Sequence, residues 1–104
     1  MDSLELFVVR RERGGPWDWS RGMREQDGFD DHARFMDALV DEGFIVLGGP
    51  LQDVDKGREV QHIVAAPSEE AVRERLEDDN WEQNGMLTTT SVERWIVLLD
   101  GRGA

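Results

Sequence analysis

Residues 27–50, DGFDDHARFMDALVDEGFIVLGGP, carry a helix, a stop and a strand in one run, and they set the frame for the rest of the chain. Asp27 is a good helix N-cap. Asp30 follows three residues on in a capping-box-like place, and Asp31 complements the dipole at the helix start. Phe29, Ala33, Met36 and Val40 recur at helical spacing, and His32, Phe35 and Leu39 widen that apolar stripe. Gly43 stands where a left-handed residue ends a helix. Phe44 to Leu47 then reads as a strand that enters Gly48-Gly49-Pro50, where two glycines and a proline predict a sharp change of direction.

Upstream, Leu4 to Val9 reads as a strand with Leu4, Leu6 and Val8 on one face and Phe7 and Val9 on the other. Arg10 to Asp27 reads as a long connection holding Trp17 and Trp19 among glycines and charges. Connections of that length in compact domains often serve function. The two tryptophans either cover a pocket or pack as a lid on the domain's own core.

Downstream, Asp53, Asp55 and Gly57 mark a turn, and Glu59 to Ala66 is a strand. Ser68 caps a second helix that buries Val72 and Leu76. Asp78 to Trp81 breaks that helix, Asn84-Gly85 is a turn, and Met86 to Leu99 reads as a long last strand. The tail, residues 100–104, is expected to fray.

Strand, helix, strand, strand, helix, strand predicts an α+β, ferredoxin-like βαββαβ fold with an antiparallel sheet and both helices over one face. The first and last strands nevertheless carry apolar residues on both faces. Phe7 and Val9 lie opposite Leu6 and Val8, and Trp95 and Val97 lie opposite Ile96 and Leu98. An uncovered face of that kind would be a large apolar patch, so a homodimer packed sheet to sheet is expected.

The 104 residues fit a single domain, 1–104, and a thin core gains burial from pairing. A formal charge of -11 repels phosphate, and the one basic stretch, Arg10, Arg11 and Arg13, is short and interrupted by Glu12. Nucleic acid and anionic membrane surfaces are therefore unsuitable partners. No cysteine is present, which removes disulfides, thiolate nucleophiles and cysteine metal sites and suits a cytoplasmic location. Met1 to Glu5 lacks the features of a signal peptide, and the longest strongly apolar run, Trp95 to Leu99, is too short to span a bilayer.

No phosphate-binding loop, dinucleotide fingerprint, nucleophile elbow or zinc-protease helix occurs, and no metal or cofactor is expected. His32 and His62 are the only histidines. His32, one turn into the first helix, reads either as a half-buried structural imidazole or as a general acid–base group. His62, mid-strand, reads as a sheet-surface or interface residue. Asp79, at a helix end beside Trp81, either aims inward or is a solvated turn carboxylate.

Three stretches together resemble the YCII-related (YciI-like) family: DDHARFMDALVDEGFIVLGGPL around His32, Gly48-Gly49-Pro50 within it, and EDDNWEQNGML leading to a strand that reaches Trp95. The resemblance covers nearly the whole chain. It implies a dimeric α+β barrel and an acid–base pair facing a shared pocket, which map here to His32 and Asp79. One departure is Asn80, where members commonly have proline. The resemblance says little about the substrate: some members resemble dehalogenating or lactone-isomerising enzymes of aromatic breakdown, and many have no established activity.

Two functions are expected. The first is a cofactor-independent enzyme of proton transfer, isomerisation or elimination on a small organic molecule, using His32 and Asp79, with Trp17, Trp19, Trp81, Gly49 and Pro50 around the substrate. The second is a non-catalytic binding or accessory module in which His32 is structural.

Overall fold

The computed structural model describes residues 4–102. The first three residues and the last two of the expected frayed tail lie outside the described residues. Within that tail, residues 100–102 are exposed, and Arg102 donates to the Asp100 carboxylate.

The first strand, β1 (Glu5–Arg13), is longer than expected. Arg10 to Arg13 do not open the connection. They continue the ladder, with Arg11 opposite Val60 on one side and Thr89 on the other. Alternation then places Phe7, Val9, Arg11 and Arg13 on one buried face.

After a connection with a short 3-10 turn (Met23–Glu25), helix α1 runs over Phe29–Asp41. Its N-cap is Gly28, at φ 79°, and not Asp27. A side chain on Gly28 would meet the Asn80 amide, so a glycine is needed there for space as well as for backbone shape. Asp27 acts through its backbone, accepting a hydrogen bond from Trp81 Nε1 at 2.9 Å. The buried stripe is centred on His32 and Leu39, with Val40 exposed. Gly43 ends the helix as expected: Phe44 N donates to Leu39 O and Gly43 N to Val40 O, the Schellman pattern.

Strand β2 (Ile45–Pro50) contains the Gly48-Gly49-Pro50 run that was expected to turn the chain. Gly48 pairs with His62, and any side chain at Gly48 would press into His62 Nδ1. The glycine makes room across the ladder, and the reversal comes later. There, the Asp53 carboxylate accepts from the backbone of Asp55 at 2.8 Å and Lys56 at 2.7 Å.

Strand β3 (Glu59–Ala66) matches its expected bounds. Helix α2 (Glu69–Leu76) begins with Ser68 accepting from Ala71 N at 3.1 Å and buries Val72 and Leu76. A short helix α3 (Asn80–Gln83) occupies the expected break, with Asp79 as its N-cap. Strand β4 (Leu87–Arg94) stops short of Leu99. Trp95 N still donates to Leu6 O, but 95–99 leave the ladder, and Ile96, Leu98 and Leu99 are exposed.

The four strands form one antiparallel sheet in the order β2-β3-β1-β4, the ferredoxin-like arrangement. The expected dimeric α+β barrel is corrected by this topology. β2 and β4 are edges, each with one partner, and the sheet stays open. Four strands are too few to close round packed side chains, which takes about eight.

The covered face holds an apolar cluster of Phe7, Val9, Leu39, Ile45, Val64, Ala66, Val72, Leu76 and Val92. Beyond it lies a second cluster of Trp17, Val60, Trp81, Met86 and Leu87. No helix among the described residues is long and apolar enough to cross a membrane.

Candidate functional site

The site begins with the meeting of α1 and the α2–α3 junction. His32 sits on the first turn of α1, held by its backbone N–H donating to Gly28 O. Asp79 ends the α2 segment and caps α3, so its carboxylate is fixed by the Trp81 backbone N–H at 3.0 Å. The two side chains meet: His32 Nδ1 lies 2.8 Å from Asp79 Oδ1 and 3.0 Å from Oδ2. An ionised carboxylate only accepts, so Nδ1 carries a proton, and in the neutral ring Nε2 holds the lone pair. The imidazole also stacks on Trp81 at 4.0 Å and 12°. Its orientation is fixed from two directions.

Asp79 is wholly buried and has a further partner that the strand reading missed. Arg11 Nη2 donates to Asp79 Oδ2 at 2.8 Å and to Glu82 Oε2 at 2.9 Å. Glu82 in turn accepts from Thr89 Oγ1 at 3.0 Å and Thr89 N at 3.1 Å. Burial alone would raise the Asp79 pKa. The hydrogen bond from His32 and the charge of Arg11 outweigh it and hold the carboxyl below its ordinary range. Asp79 and Glu82 share one guanidinium, so the three carry one excess negative charge, which a proton on His32 cancels.

His32 and Trp81 open onto a cavity of about 480 Å³ between α1 and the β2–β3 end of the sheet. Gly49 and Pro50 line it. Trp17 does not. It is buried behind Trp81, edge-on at 5.3 Å, as a core lid. Trp19 is partly exposed, packs on Trp17 at 6.0 Å, and likewise lies outside the lining.

His62 is the clearest difference from the sequence reading. It is not on the sheet surface: it lies on the covered face, 5% exposed, and lines the same cavity. Among the described residues, neither ring nitrogen has a hydrogen-bond partner. Burial, helped by the charges of Arg11 and His32, pushes its pKa down to about 3, so the ring is neutral. Arg13, 1% exposed, is a further cavity residue that strand alternation brings inward. Extending the alternation of Phe7 and Val9 by four residues is the signal that would have found both arginines. Among the described residues, no group of three His, Cys, Asp or Glu is placed to hold a metal ion.

The comparisons with known proteins agree with this architecture. No curated protein matches the chain. Among solved structures, 5-chloro-2-hydroxyhydroquinone dehydrochlorinase from Burkholderia phenoliruptrix, in complex with 2,5-dihydroxybenzoquinone, is similar at a TM-score of 0.66 and 26% identity. The alignment covers 88% of this chain and 93% of that one. The model of the YCII-related domain matches residues 8–96. The chain belongs to the YCII-related family.

Proposed function

We propose that the protein is a small-molecule enzyme that needs no cofactor and moves a proton in an isomerisation or elimination. The observation that carries this reading is the 2.8 Å pairing of His32 with a buried Asp79 at the wall of the cavity. In this scheme Nε2 of His32 takes a proton from the substrate. The electron pair of the broken bond shifts into the substrate, or expels a leaving group as an anion. Asp79 holds the tautomer and balances the imidazolium that forms. The dehydrochlorinase relative, whose name describes the loss of HCl from a small hydroxylated ring, supports elimination as the reaction class. The mostly apolar cavity suits such a ring.

His32→Ala is expected to lower turnover by at least about 100-fold, the usual contribution of a positioned acid–base group, with the fold retained. Turnover equal to wild type in a folded His32→Ala protein would overturn the catalytic reading. The second reading, a binding or accessory module, draws on the same stacking against Trp81, which also holds His32 as a structural residue would. It predicts ligand binding without turnover and a large loss of thermal stability in the same variant.

A homodimer belongs to the proposal. Leu47 and Trp95 are exposed on or beside the uncovered sheet face, where they line a shallow hollow with the half-buried Leu6 and the buried Ile63. A second copy covering them would remove a patch of the kind that marks an interaction surface. Light scattering should give twice the chain mass at micromolar concentration, and a monomer there counts against it.

A further inference from the structure

Arg11 and Arg13 stand two residues apart on one face of β1, and both are buried. Their surroundings differ. Arg11 is bound by two carboxylates, Asp79 and Glu82, and lies outside the cavity lining. Arg13 is in the lining and, among the described residues, has no carboxylate within ion-pair distance. Its one hydrogen-bond acceptor is Gly57 O, 2.9 Å from Nη1, and its Nε has none.

The acidic residues nearest in the fold are committed elsewhere. Asp53 caps the backbone of Asp55 and Lys56, and Asp55 accepts from Met23 N at 2.9 Å. The guanidinium rests on the face of Trp17 at 4.3 Å, which fixes its plane without neutralising it. Burial lowers the Arg13 pKa, and Asp55 and Asp53 oppose this without cancelling it. An arginine remains protonated even so. A buried guanidinium with unused donors and no counter-ion is costly to keep unless something else supplies the negative charge.

We propose that Arg13 is the anion-recognition residue of this cavity, and that the substrate is a small planar molecule bearing an anionic oxygen, a carboxylate or an ionised enol. The anionic oxygen accepts from the free N–H groups of Arg13. The ring lies along the apolar wall of Met36, Trp81 and Leu87, within reach of His32. His62, neutral and unpartnered on the same wall, offers a hydrogen bond to an uncharged oxygen of the ligand. Charge-assisted bonds of this sort typically change affinity by roughly tenfold or more.

This inference rests on the cavity being the substrate site, so the test reads binding apart from turnover. Two probes of similar ring size are titrated calorimetrically near neutral pH: 2,5-dihydroxybenzoquinone, which is ionised there, and hydroquinone, which is not. Wild type should bind the ionised ring at least about tenfold more tightly. Arg13→Gln should erase that preference, Arg13→Lys should keep part of it, and His32→Ala should keep it nearly whole.

Equal affinities in wild type overturn the proposal, as does failure of the ionised ring to bind. A preference surviving in folded Arg13→Gln protein overturns it as well. If Arg13→Gln does not fold, the wild-type comparison and Arg13→Lys decide. A His32→Ala protein that keeps both the preference and its turnover sinks the acid–base role while leaving the anion site standing.

Discussion

The covered face of the sheet has two ends built from the same strands in opposite chemistry. Toward the start of β1, Phe7 and Val9 pack with Leu39, Val64, Val72 and Leu76, and alternation yields an all-apolar core. Toward its end, the same alternation delivers Arg11 and Arg13, with His32, His62 and Asp79 around them. Both ends bury their side chains, so the second is not a core diluted by chance polar residues. The apolar end gains stability from each group it buries. The polar end depends on each charge finding a partner, and it leaves some donors and acceptors free beside a cavity. That asymmetry supports the proposed site, since functional residues are often kept at a cost to stability.

The largest test of this contrast removes a charge. Asp79→Ala should destabilise the protein by about 3–5 kcal/mol, because Arg11 keeps only the partly exposed Glu82 as a partner, His32 loses its acceptor, and the α3 cap is lost as well. Urea denaturation measures it. Adding Arg11→Met and Glu82→Gln together should recover part of the loss, since the ion pair left at the polar end is then gone with neither charge stranded. Leu39→Ala at the apolar end costs a comparable amount through a cavity, about 2–5 kcal/mol, but no second substitution of a charge should rescue it. A cost under about 1 kcal/mol for Asp79→Ala would mean that the polar end does not rely on that pairing.

The two ends were also unequally legible in the sequence. The apolar end announced itself: Val72 and Leu76 at helical spacing, Ser68 before them, Gly43 closing α1, and β3 between a turn and a proline. Local chemistry decides such elements, and the structure has them where the sequence placed them. His32 and Asp79 were named as a pair only through the family resemblance. Their contact spans 47 residues, which no local pattern reports.

Arg11 and Arg13 were misread because a run of charges normally signals a loop, and tertiary pairing with Asp79 and Gly57 overrode that. Gly48-Gly49-Pro50 was misread for a related reason. Glycine signals a turn locally, but at Gly48 it answers a side chain on the neighbouring strand. His62 lies among apolar residues on both faces of β3, so alternation could not assign it to one.

The smaller prediction turns on that histidine and on the sign of its titration. The folded protein holds His62 with a pKa near about 3, against 6.5 in an ordinary environment. Between those values the unfolded chain binds a proton that the native protein refuses. Stability is then full above the unfolded value and falls as pH is lowered, with a slope approaching ~1.4 kcal/mol per pH unit from this one group. Asp79, with its lowered pKa, acts in the same direction, but its contribution is lost only at more acidic pH, below the ordinary carboxylate range near ~3.9.

The interval from about pH 6.5 down to about 4.5 therefore belongs to His62 rather than to the carboxylate. His62→Leu should flatten the stability curve there by up to ~1.4 kcal/mol per unit and leave the carboxylate limb below it. Removing two unpartnered ring nitrogens should also raise stability near neutral pH, in contrast to every truncation at the apolar end. A His62→Leu curve parallel to wild type across that interval would show the imidazole protonating freely in the fold. The cavity would then carry a cation on its wall at no cost to the fold, and burial at the polar end would not oppose ionisation in the way the contrast between the two ends requires.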